Sequence, residues 1–346
     1  MAKTTPPNFT NDSRNLVEWY LSIRRDLPWR KDRDPYRIWI SEVMLQQTTV
    51  TAVIPYYEKF LKRFPTLAKL AASNLEDVLE HWAGLGYYSR ARNLHKSALA
   101  LHAKGFPKTS AELLTFPGFG PYTSRAVSSL AFDEKTGVLD GNVIRVLSRK
   151  YGQSVEWWKP AGRNELQTIA DALAQTDDPA DLNQGMMELG ATVCTPSNPA
   201  CLLCPWKKDC VARLTDRVSE LPLKRPRRAS EMWLWSPTVI IRKDLVYVEP
   251  NSYAPFLKGH SLPPGQVKRL KAAPKTFTFR GGVTHHDIFV AVTHDSKFAT
   301  KGRKDGQWIP LKELKKQIPV SLIRKAIEGT IFPLRKKSRN GKMVPS

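Results

Sequence analysis

The four cysteines of this chain all lie in one short segment, at Cys194, Cys201, Cys204 and Cys210, although the chain has 346 residues. Cysteines that serve as small core residues or as disulfide partners are spread along a chain. Thiolates held this close together need a soft cation, so the segment predicts a metal centre. Zinc ribbons usually present two C-x2-C pairs, whereas this segment has one. Its C-x6-C-x2-C-x5-C spacing therefore favours one [4Fe–4S] cluster, with zinc or ordinary thiols as alternatives.

The net charge of +22 predicts a polyanionic partner. Residues 229–346 hold 22 Lys and Arg against 8 Asp and Glu, so the last third is the more basic part. A basic soluble protein without such a partner is the alternative. No apolar run is long enough to cross a membrane, and residues 1–6 show no secretory signal. Together with the clustered cysteines, these features predict a cytosolic protein.

The first two-thirds of the sequence predicts helices joined by short turns. Asp34 followed by Pro35 is typical of a capped helix start, and Asn74 is typical of another. A further helix is expected to begin at Ile54 and Pro55. No alternating pattern typical of a strand occurs before about residue 236. The chain therefore predicts a helical part followed by a part that contains strands.

The last third begins after a proline-containing basic stretch at residues 222–228, which predicts a linker. Residues 238–242 and 245–248 predict a β-hairpin, and residues 289–292 predict a further strand. The basic residues 335–339 predict a disordered tail.

Residues 113–127 predict an amphipathic helix, a tight turn that contains Gly118 and Gly120, and a second helix. Glycines in the turn permit positive φ and a close approach of the backbone to a ligand. The N–H groups at the start of the second helix suit a phosphate, and phosphate contacts hold DNA without reading its sequence. The segment therefore predicts a DNA-binding helix-hairpin-helix, with an ordinary helical hairpin as the alternative.

Two carboxylates have the setting of a catalytic pair. Glu42 lies in a mainly apolar helix, where burial would raise its pKa and keep a proton for acid catalysis. Asp140 directly precedes a helix, where backbone donors and the helix dipole favour the ionised form. A protonated acid and a fixed anion can cleave a glycosidic bond through an oxocarbenium-like state. The alternatives are an ordinary surface glutamate and a plain helix cap.

These motifs together resemble the helix-hairpin-helix glycosylase superfamily and, more closely, the MutY family of adenine DNA glycosylases, from about residue 14 to residue 215. The segments that carry the resemblance, besides the hairpin and the cysteines, are residues 27–30, 41–48, 84–88 and 139–143. The resemblance implies a mainly α N-terminal two-thirds and a smaller α+β Nudix-like C-terminal domain. The implied domains are an iron–sulfur cluster domain at 1–25 and 131–221, a six-helix barrel with the helix-hairpin-helix at 26–130, a basic linker at 222–230, the Nudix-like domain at 231–334 and a basic tail at 335–346.

The resemblance also implies a base-excision-repair enzyme that removes adenine from double-stranded DNA in which adenine is mispaired with 8-oxoguanine or guanine. Glu42 would protonate the flipped adenine at N7, and Asp140 would stabilise the sugar cation, with a transient covalent adduct left open. Asn142 and Tyr122 would support Asp140 and the sugar. The implied adenine pocket is lined by Arg25, Trp29, Arg30 and Gln184. The implied DNA contacts are Gln47, Thr48, Leu85 and Tyr87 in the gap left by base flipping, and Gly118 and Gly120 at the backbone. Gly84 and Gly86 on either side of Leu85 favour an exposed loop, and a place of Leu85 and Tyr87 in the hydrophobic core is the alternative.

Tyr122 stands where strand-nicking relatives usually carry a lysine that forms a Schiff base. A phenol cannot form one, so a monofunctional enzyme that leaves an abasic site is expected. In the last third, Thr284 and His285 match part of a family Phe-Ser-His pattern that reads 8-oxoguanine, but the aromatic residue is absent and no acidic run for magnesium occurs. Residues 195–200 contain no Lys or Arg, so DNA contacts from that loop are expected to be weak. The cluster is expected to be structural and to position DNA.

Two other functions stay open at this stage. A pyrimidine-damage glycosylase with lyase activity is disfavoured by Tyr122 and by Gln46 and Gln47. A non-catalytic DNA-binding scaffold would have no reason to keep both Glu42 and Asp140. A monomer in the bacterial cytoplasm, associated with the nucleoid, is expected, and protein partners are left open.

Overall fold

The computed structural model describes residues 8–226, 229–300, 305–318 and 320–331. The chain divides into two compact units, Met1–Arg225 and Pro226–Ser346. The tail expected at 335–346 lies outside the described residues. The finer division of the first unit into a barrel and a cluster domain stays a prediction.

The first unit is built from helices joined by short connections. In chain order the helices are α1 Phe9–Ile23, α2 Pro35–Leu45, α3 Val50–Arg63, α4 Leu67–Ala71, α5 Leu75–Trp82, α6 Tyr88–Lys104, α7 Ser110–Leu113, α8 Pro121–Phe132, α9 Gly141–Lys150, α10 Pro160–Leu173, α11 Pro179–Thr192 and α12 Val211–Leu214. Short 3-10 turns occur at Pro28–Arg30 and Cys201–Leu203.

The helix starts follow local capping chemistry. The side chain of Asp34 accepts a hydrogen bond from the backbone N–H of Tyr36 at 2.8 Å, and Pro35 occupies the first turn of α2. The Asn74 side chain accepts from the N–H of Asp77 at the start of α5, at 2.8 Å. Both predicted caps are confirmed.

The start predicted for α3 is wrong, because this helix begins at Val50 and contains Pro55. Pro55 lies in the second turn of α3, where it has no N–H to donate to the carbonyl oxygen of Thr51, so the helix runs past a residue that usually marks a helix start. The hydrophobic face through Tyr57 and Phe60 is buried as the pattern requires.

Two hydrophobic clusters fill the first unit. The candidate site is lined by residues of helices that contribute to one cluster or the other. One cluster takes residues from α2 to α8 and includes Trp39 and Trp82. The other takes residues from α1, α9, α10 and α11 and includes Trp206 of the cysteine segment. Helix α8 contributes Val127 to the first cluster and Ala126 to the second. This shared helix fixes α2 relative to α9 and α11.

The second unit contains two sheets and two helices within its described residues. The strands are β1 Glu231–Val239, β2 Ile241–Arg242, β3 Leu245–Pro250, β4 Ser261–Leu262, β5 Gly265–Leu270, β6 Phe279–Val283, β7 His286–Val290, β8 Thr293–His294 and β9 Gln307–Pro310, and the helices are α13 Leu314–Gln317 and α14 Ser321–Ile331. One sheet has the order β5-β1-β7-β6, and the other joins β2, β3 and β4 with β9 also paired to β3. The predicted class, a mainly α part with a smaller α+β part, is confirmed.

The hairpin predicted near residue 243 is shorter than expected. Ile241 pairs with Val246 and Arg242 pairs with Leu245, whereas residues 238 and 239 belong to β1 of the other sheet. The strand predicted at 289–292 is β7, which ends at Val290. Among the described residues, no helix is both long and apolar enough to cross a bilayer.

Candidate functional site

Glu42 is buried on α2, with 5 % of its surface exposed. Its carboxylate Oε2 accepts a hydrogen bond from the Tyr122 hydroxyl at 2.7 Å. Burial raises the pKa of Glu42 to about 7, the Tyr122 hydrogen bond lowers it, and the negative charge of Asp140 raises it. The interpretation of Glu42 as a surface residue is therefore wrong, and the residue can carry a proton near neutral pH.

Asp140 caps α9 at its N-terminus. Its Oδ1 accepts from the backbone N–H of Val143 at 2.7 Å, and its Oδ2 accepts from the Asn142 side-chain amide at 3.2 Å. Burial raises the pKa of Asp140, while these donors and the charge of Arg145 lower it. The donors favour the ionised form as predicted, but burial outweighs them in the net direction.

A cavity of about 700 Å³ opens in front of both carboxylates. The cavity is large enough for a flipped base with its sugar, which falls in the usual size range of small-molecule pockets. Every residue predicted for catalysis or for the adenine pocket lines it, together with two of those predicted to enter the duplex: Glu42, Asp140, Asn142, Tyr122, Arg25, Trp29, Arg30, Gln184, Gln47 and Thr48. The structure thus brings together segments that are far apart in the sequence.

The hydroxyl of Tyr122, which the resemblance implied would support Asp140, is hydrogen-bonded to Glu42. Its hydroxyl donates to Glu42 and also lies 3.0 Å from the Sδ of Met187. Burial and the nearby carboxylates raise the pKa of Tyr122 well above its usual value, so the phenol keeps its proton. The side chain of Asn142 donates a hydrogen bond to Asp140, as the resemblance implied for a supporting residue.

Glu188 is a site residue that the sequence reasoning missed. Its side chain is fully buried, and it accepts from the Arg25 guanidinium at 2.5 and 2.9 Å and from Arg30 at 2.9 Å. Burial alone would raise the pKa of Glu188, but these two arginines outweigh it and lower the pKa. Glu188 follows Gln184 by one helical turn on α11, a spacing that indicates a shared face.

The two arginines predicted for the adenine pocket therefore serve first as partners of a buried carboxylate. Gln184 is also engaged, since its Oε1 accepts from the Tyr20 hydroxyl at 2.9 Å. The Trp29 ring is buried and packs edge-to-face against Tyr57, with ring centres 5.4 Å apart. These contacts hold the pocket wall in one arrangement before any base enters.

The helix-hairpin-helix region differs in detail from the prediction. The first helix is only the four-residue α7, and the second is α8. Gly118 has φ +82°, and a Cβ there would lie 2.9 Å from the Cβ of Asn93. Gly120 caps α8 in an extended conformation with φ −85°, so positive φ is required at Gly118 alone. A Cβ on Gly120 would meet nothing within 4 Å, so that side of the turn is open.

The two loops predicted to enter the duplex expose some of the expected side chains. Tyr87 is 60 % exposed with φ +48°, but Leu85 is only 8 % exposed and belongs to the core. The expectation of an exposed loop is therefore right for Tyr87 and wrong for Leu85, because the backbone turns the leucine inward beside Trp82. Gln47 is exposed with φ +57°, and Thr48 is half-buried at the cavity mouth.

One arginine that the sequence reasoning missed joins these two loops. The guanidinium Nη1 of Arg90 donates to the carbonyl oxygens of Val43 at 2.8 Å and Gln46 at 2.6 Å, at the end of α2. Its Nη2 lies 3.4 Å from the carbonyl oxygen of Leu85, and its charge lies over the Tyr87 ring. Arg90 thus connects the C-terminus of the Glu42 helix with the 84–88 loop.

The four cysteines surround a small pocket that Arg149, Lys207 and Arg213 also line. Arg149 Nη1 lies 3.5 Å from the Cys194 Sγ, and the guanidinium also donates to the carbonyl oxygens of Thr195 at 2.7 Å and Leu221 at 2.9 Å. Burial raises the pKa of the Cys204 thiol to about 12, so a thiolate there needs added positive charge. The pocket can therefore hold a cationic metal centre.

The spacing of the sulfurs bears on which centre fits. Within the described parts of the chain, only Glu231, His285 and His286 bring three metal-ligating atoms within 4.8 Å of one another. No three of the cysteine sulfurs therefore all lie within 4.8 Å of one another, whereas a tetrahedral zinc with bonds of about 2.3 Å would place them about 3.8 Å apart. This wider spacing suits a cluster of several metal atoms.

Arg145 connects the cysteine segment with the cavity. Its guanidinium donates to the Asn142 Oδ1 at 2.8 Å, to the Cys194 carbonyl oxygen at 2.7 Å and to the Gly190 carbonyl oxygen at 2.7 Å. Since Asn142 also binds Asp140, one side chain separates Arg145 from the candidate catalytic carboxylate. The sequence reasoning missed Arg145, because two of these three partners, Cys194 and Gly190, come from other segments.

Thr284 and His285 lie at the turn between β6 and β7 in the second unit. Thr284 is exposed with φ +54°, and His285 is half-buried. The structure places them together on one loop, and their role in reading a lesion stays a prediction.

Comparisons with known proteins bear on the family of this chain. Residues 40–167 match the HhH-GPD superfamily base excision DNA repair protein family. The chain is 45 % identical over 226 residues to the adenine DNA glycosylase of Rattus norvegicus, and the aligned region covers 60 % of this chain and 43 % of the rat protein. It is also 38 % identical over 247 residues to the adenine DNA glycosylase of Buchnera aphidicola subsp. Schizaphis graminum. That aligned region covers 69 % of this chain and 70 % of the Buchnera protein.

A solved structure of a thermostable thymine-DNA glycosylase superposes on 60 % of this chain and 97 % of its own, with a TM-score of 0.55 and 28 % identity. The fold of the helical part is therefore that of the superfamily. The chain spans less than half the length of the rat relative that it matches.

Proposed function

The chain belongs to the adenine DNA glycosylase family of the HhH-GPD superfamily, and we propose that it hydrolyses the N-glycosidic bond of adenine mispaired with 8-oxoguanine or guanine in double-stranded DNA. The observation that carries the proposal is a buried Glu42 with a pKa of about 7 that faces the same cavity as Asp140. The similarity to proteins named adenine DNA glycosylase and the net charge of +22 support DNA as the substrate.

The two carboxylates divide the chemistry between them. Glu42 delivers its proton to N7 of the flipped adenine, so that the base leaves as a neutral molecule. Asp140, fixed by Asn142 and by the N-terminus of α9, stabilises the positive charge that develops on the sugar. Water then completes the hydrolysis at the anomeric carbon.

The pocket wall supplies orientation rather than chemistry. Arg25 and Arg30 line the cavity and are both held by Glu188, so their guanidinium groups have fixed positions in its wall. The flat Trp29 ring offers a surface on which a base can stack. Exposed Gln47 and Tyr87 are the side chains best placed to fill the space that the flipped base leaves.

We propose further that the enzyme is monofunctional. Tyr122 occupies the place of a lysine nucleophile, and its high pKa keeps the phenol protonated. The product is then an abasic site with an intact strand. Comparable trapping on DNA by borohydride for this protein and for a lysine-bearing relative would contradict this.

The cysteine segment is proposed to hold one [4Fe–4S] cluster through Cys194, Cys201, Cys204 and Cys210. Support comes from the sulfur positions, no three of which all lie within 4.8 Å of one another, and from the positive charge of Arg149 beside Cys194. When bound, the cluster supplies a cross-link for this segment, and the excision step needs no electron from it. The clustered thiols favour a reducing compartment such as the bacterial cytoplasm, where the protein would act as a monomer on DNA.

The deciding experiment is single-turnover cleavage of duplexes that contain A:8-oxoguanine or A:G. Glu42→Gln should lower the rate on the order of 10²-fold or more, because a positioned general acid is lost. Glu58→Gln, an exposed glutamate on α3, is the matched control and should leave the rate unchanged. Equal rates for Glu42→Gln and the wild type would end the assignment.

A further inference from the structure

The turn between β6 and β7 brings Glu231, His285 and His286 together as a group that adenine excision does not require. Within residues 8–226, 229–300, 305–318 and 320–331, this is the one group of three His, Cys, Asp or Glu side chains whose ligand atoms lie within 4.8 Å of one another. We propose that it is a binding site for a divalent transition-metal ion of the zinc type.

The backbone of the turn is arranged to bring the two histidines together. Consecutive residues in a strand point to opposite faces, yet the His285 and His286 rings have centres only 4.0 Å apart. Thr284, directly before them, has the left-handed φ of +54°. The parallel pairing of β1 with β7 then sets Glu231 opposite His286. Three ligands from two segments thus converge on one point.

The ring nitrogens have the partners that metal-binding histidines usually have. His286 Nδ1 lies 3.3 Å from the Val283 carbonyl oxygen, and the Nδ1 atoms of both rings lie 3.4 Å from the Thr284 hydroxyl oxygen. In the tautomer that carries its proton on Nδ1, the ring donates to these oxygens and keeps the Nε2 lone pair for an ion. His286 Nε2 lies 3.6 Å from Glu231 Oε2, close to the roughly 3.4 Å between two tetrahedral ligands of one zinc ion.

Neighbouring side chains fix the direction of the carboxylate and shield the site. Arg269 donates to Glu231 Oε1 at 2.9 Å, and the indole N–H of Trp233 donates to Oε2 at 3.2 Å. The Trp233 and Phe256 rings pack near His286, whose side chain is 12 % exposed. Such outer contacts orient ligands and strengthen metal binding.

The donor set indicates the class of ion. Two imidazoles and one carboxylate suit zinc and similar borderline ions, with the remaining position left for water. A bound ion would tie the 283–286 turn to the first residue of β1, and it would occupy the His285 imidazole that lesion reading was expected to use. The site stands independently of the proposed excision activity.

The test is calorimetric titration of the intact, cluster-loaded protein with Zn²⁺, after removal of any polyhistidine tag. One site per chain is expected, and His286→Ala and Glu231→Gln should each weaken it by at least about 10-fold, since even loss of an outer contact costs 10- to 100-fold. Thr284→Ala keeps all three ligands and should weaken binding by about 10-fold. The exposed His294→Ala is the matched control and should bind as the wild type does.

The cluster absorption is followed during each titration, so that zinc entering the cysteine segment is recognised. Equal zinc affinity in the wild type, His286→Ala and Glu231→Gln would overturn the proposal, as would the absence of a site in the wild type. Adenine excision by the same samples is a separate measurement, so a failure of the metal site and a failure of the proposed function are distinguishable.

Discussion

At the scale of single residues, the proposed chemistry depends on keeping a carboxylic acid protonated where water would ionise it. Glu42 achieves this by burial, and Tyr122 counteracts part of that effect by donating to the same carboxylate. The two side chains therefore set the pH range of the reaction together. This balance has consequences for stability as well as for rate.

Glu42→Gln is expected to stabilise the protein at alkaline pH while it removes activity. The folded-state pKa of about 7 lies above the ordinary value of 4.5, so the unfolded chain loses this proton first as the pH rises. The carboxyl therefore lowers the free energy of unfolding progressively between these two pKa values, and the cost is complete above pH 7. Its size is on the order of 3 kcal/mol.

Denaturant unfolding of the wild type and Glu42→Gln at pH 5 and pH 8 measures this effect. The variant should be the more stable protein at pH 8, and the difference should shrink toward pH 5. Glu58→Gln serves again as the control, with no such pH dependence. A variant that is destabilised equally at both pH values would show that Glu42 is not held protonated by burial.

Tyr122→Phe should shift the pH dependence of excision rather than abolish it. The Tyr122 hydrogen bond lowers the pKa of Glu42, so its removal raises that pKa further. Since the reaction needs protonated Glu42, the alkaline fall in rate should move to higher pH. Single-turnover rates between pH 5.5 and pH 9 give the profile, and an alkaline limb that stays in place or moves downward would contradict the assignment.

At the scale of elements, the local sequence accounts for much of the site, and the rest depends on distant packing. The caps at Asp34 and Asn74 and the burial of Glu42 follow from neighbours within a few residues, and all three were predictable. Glu188 was missed because its two arginine partners lie on another segment. The hydrogen bond from Tyr122 to Glu42 was missed for the same reason, since the hairpin must dock on α2 before its hydroxyl meets Glu42.

Glycine spacing was similarly informative only in part. Gly84 and Gly86 suggested an exposed loop around Leu85, and both have positive φ. The direction in which such a loop turns its side chains is set by what it packs against. Leu85 faces the core and Tyr87 faces outward, a distinction that no spacing rule contains.

Arg90→Met should disturb both duplex-facing loops while the fold is retained. The variant keeps apolar volume but loses the hydrogen bonds that connect the end of α2 with the 84–88 loop. We expect a loss in single-turnover rate on the order of 10-fold, because Gln47 and Tyr87 are no longer held in position.

The control is Arg92→Met, which removes an exposed arginine from the same helix and should lower DNA affinity only slightly. Fluorescence of 2-aminopurine at the target position reports base flipping separately from cleavage. Normal flipping and cleavage by Arg90→Met would show that the two loops hold their positions without this contact.

At the scale of the whole molecule, the two units have separate hydrophobic cores, so their contributions can be separated by truncation. The first unit contains both clusters that frame the cavity, and the second has its own cluster around Trp235 and Ile288. Residues 222–225 belong with the first unit, where the Trp157 indole donates to the Leu223 carbonyl oxygen at 2.8 Å. A cut after residue 225 therefore preserves these contacts, and a cut at 221 does not.

A protein of residues 1–225 should fold, bind its cluster and excise adenine from A:G duplexes within about 10-fold of the full-length rate, because both carboxylates and their supports remain. It should bind DNA more weakly and with a shallower dependence of affinity on salt, since residues 229–346 carry 22 basic against 8 acidic residues.

If the second unit reads the lesion, the ratio of A:8-oxoguanine to A:G rates should also fall toward one in the truncated protein. Rates and affinities measured from 50 to 200 mM salt separate these effects. A truncated protein with an unchanged salt slope and an unchanged rate ratio would show that the basic unit contacts neither the backbone nor the lesion.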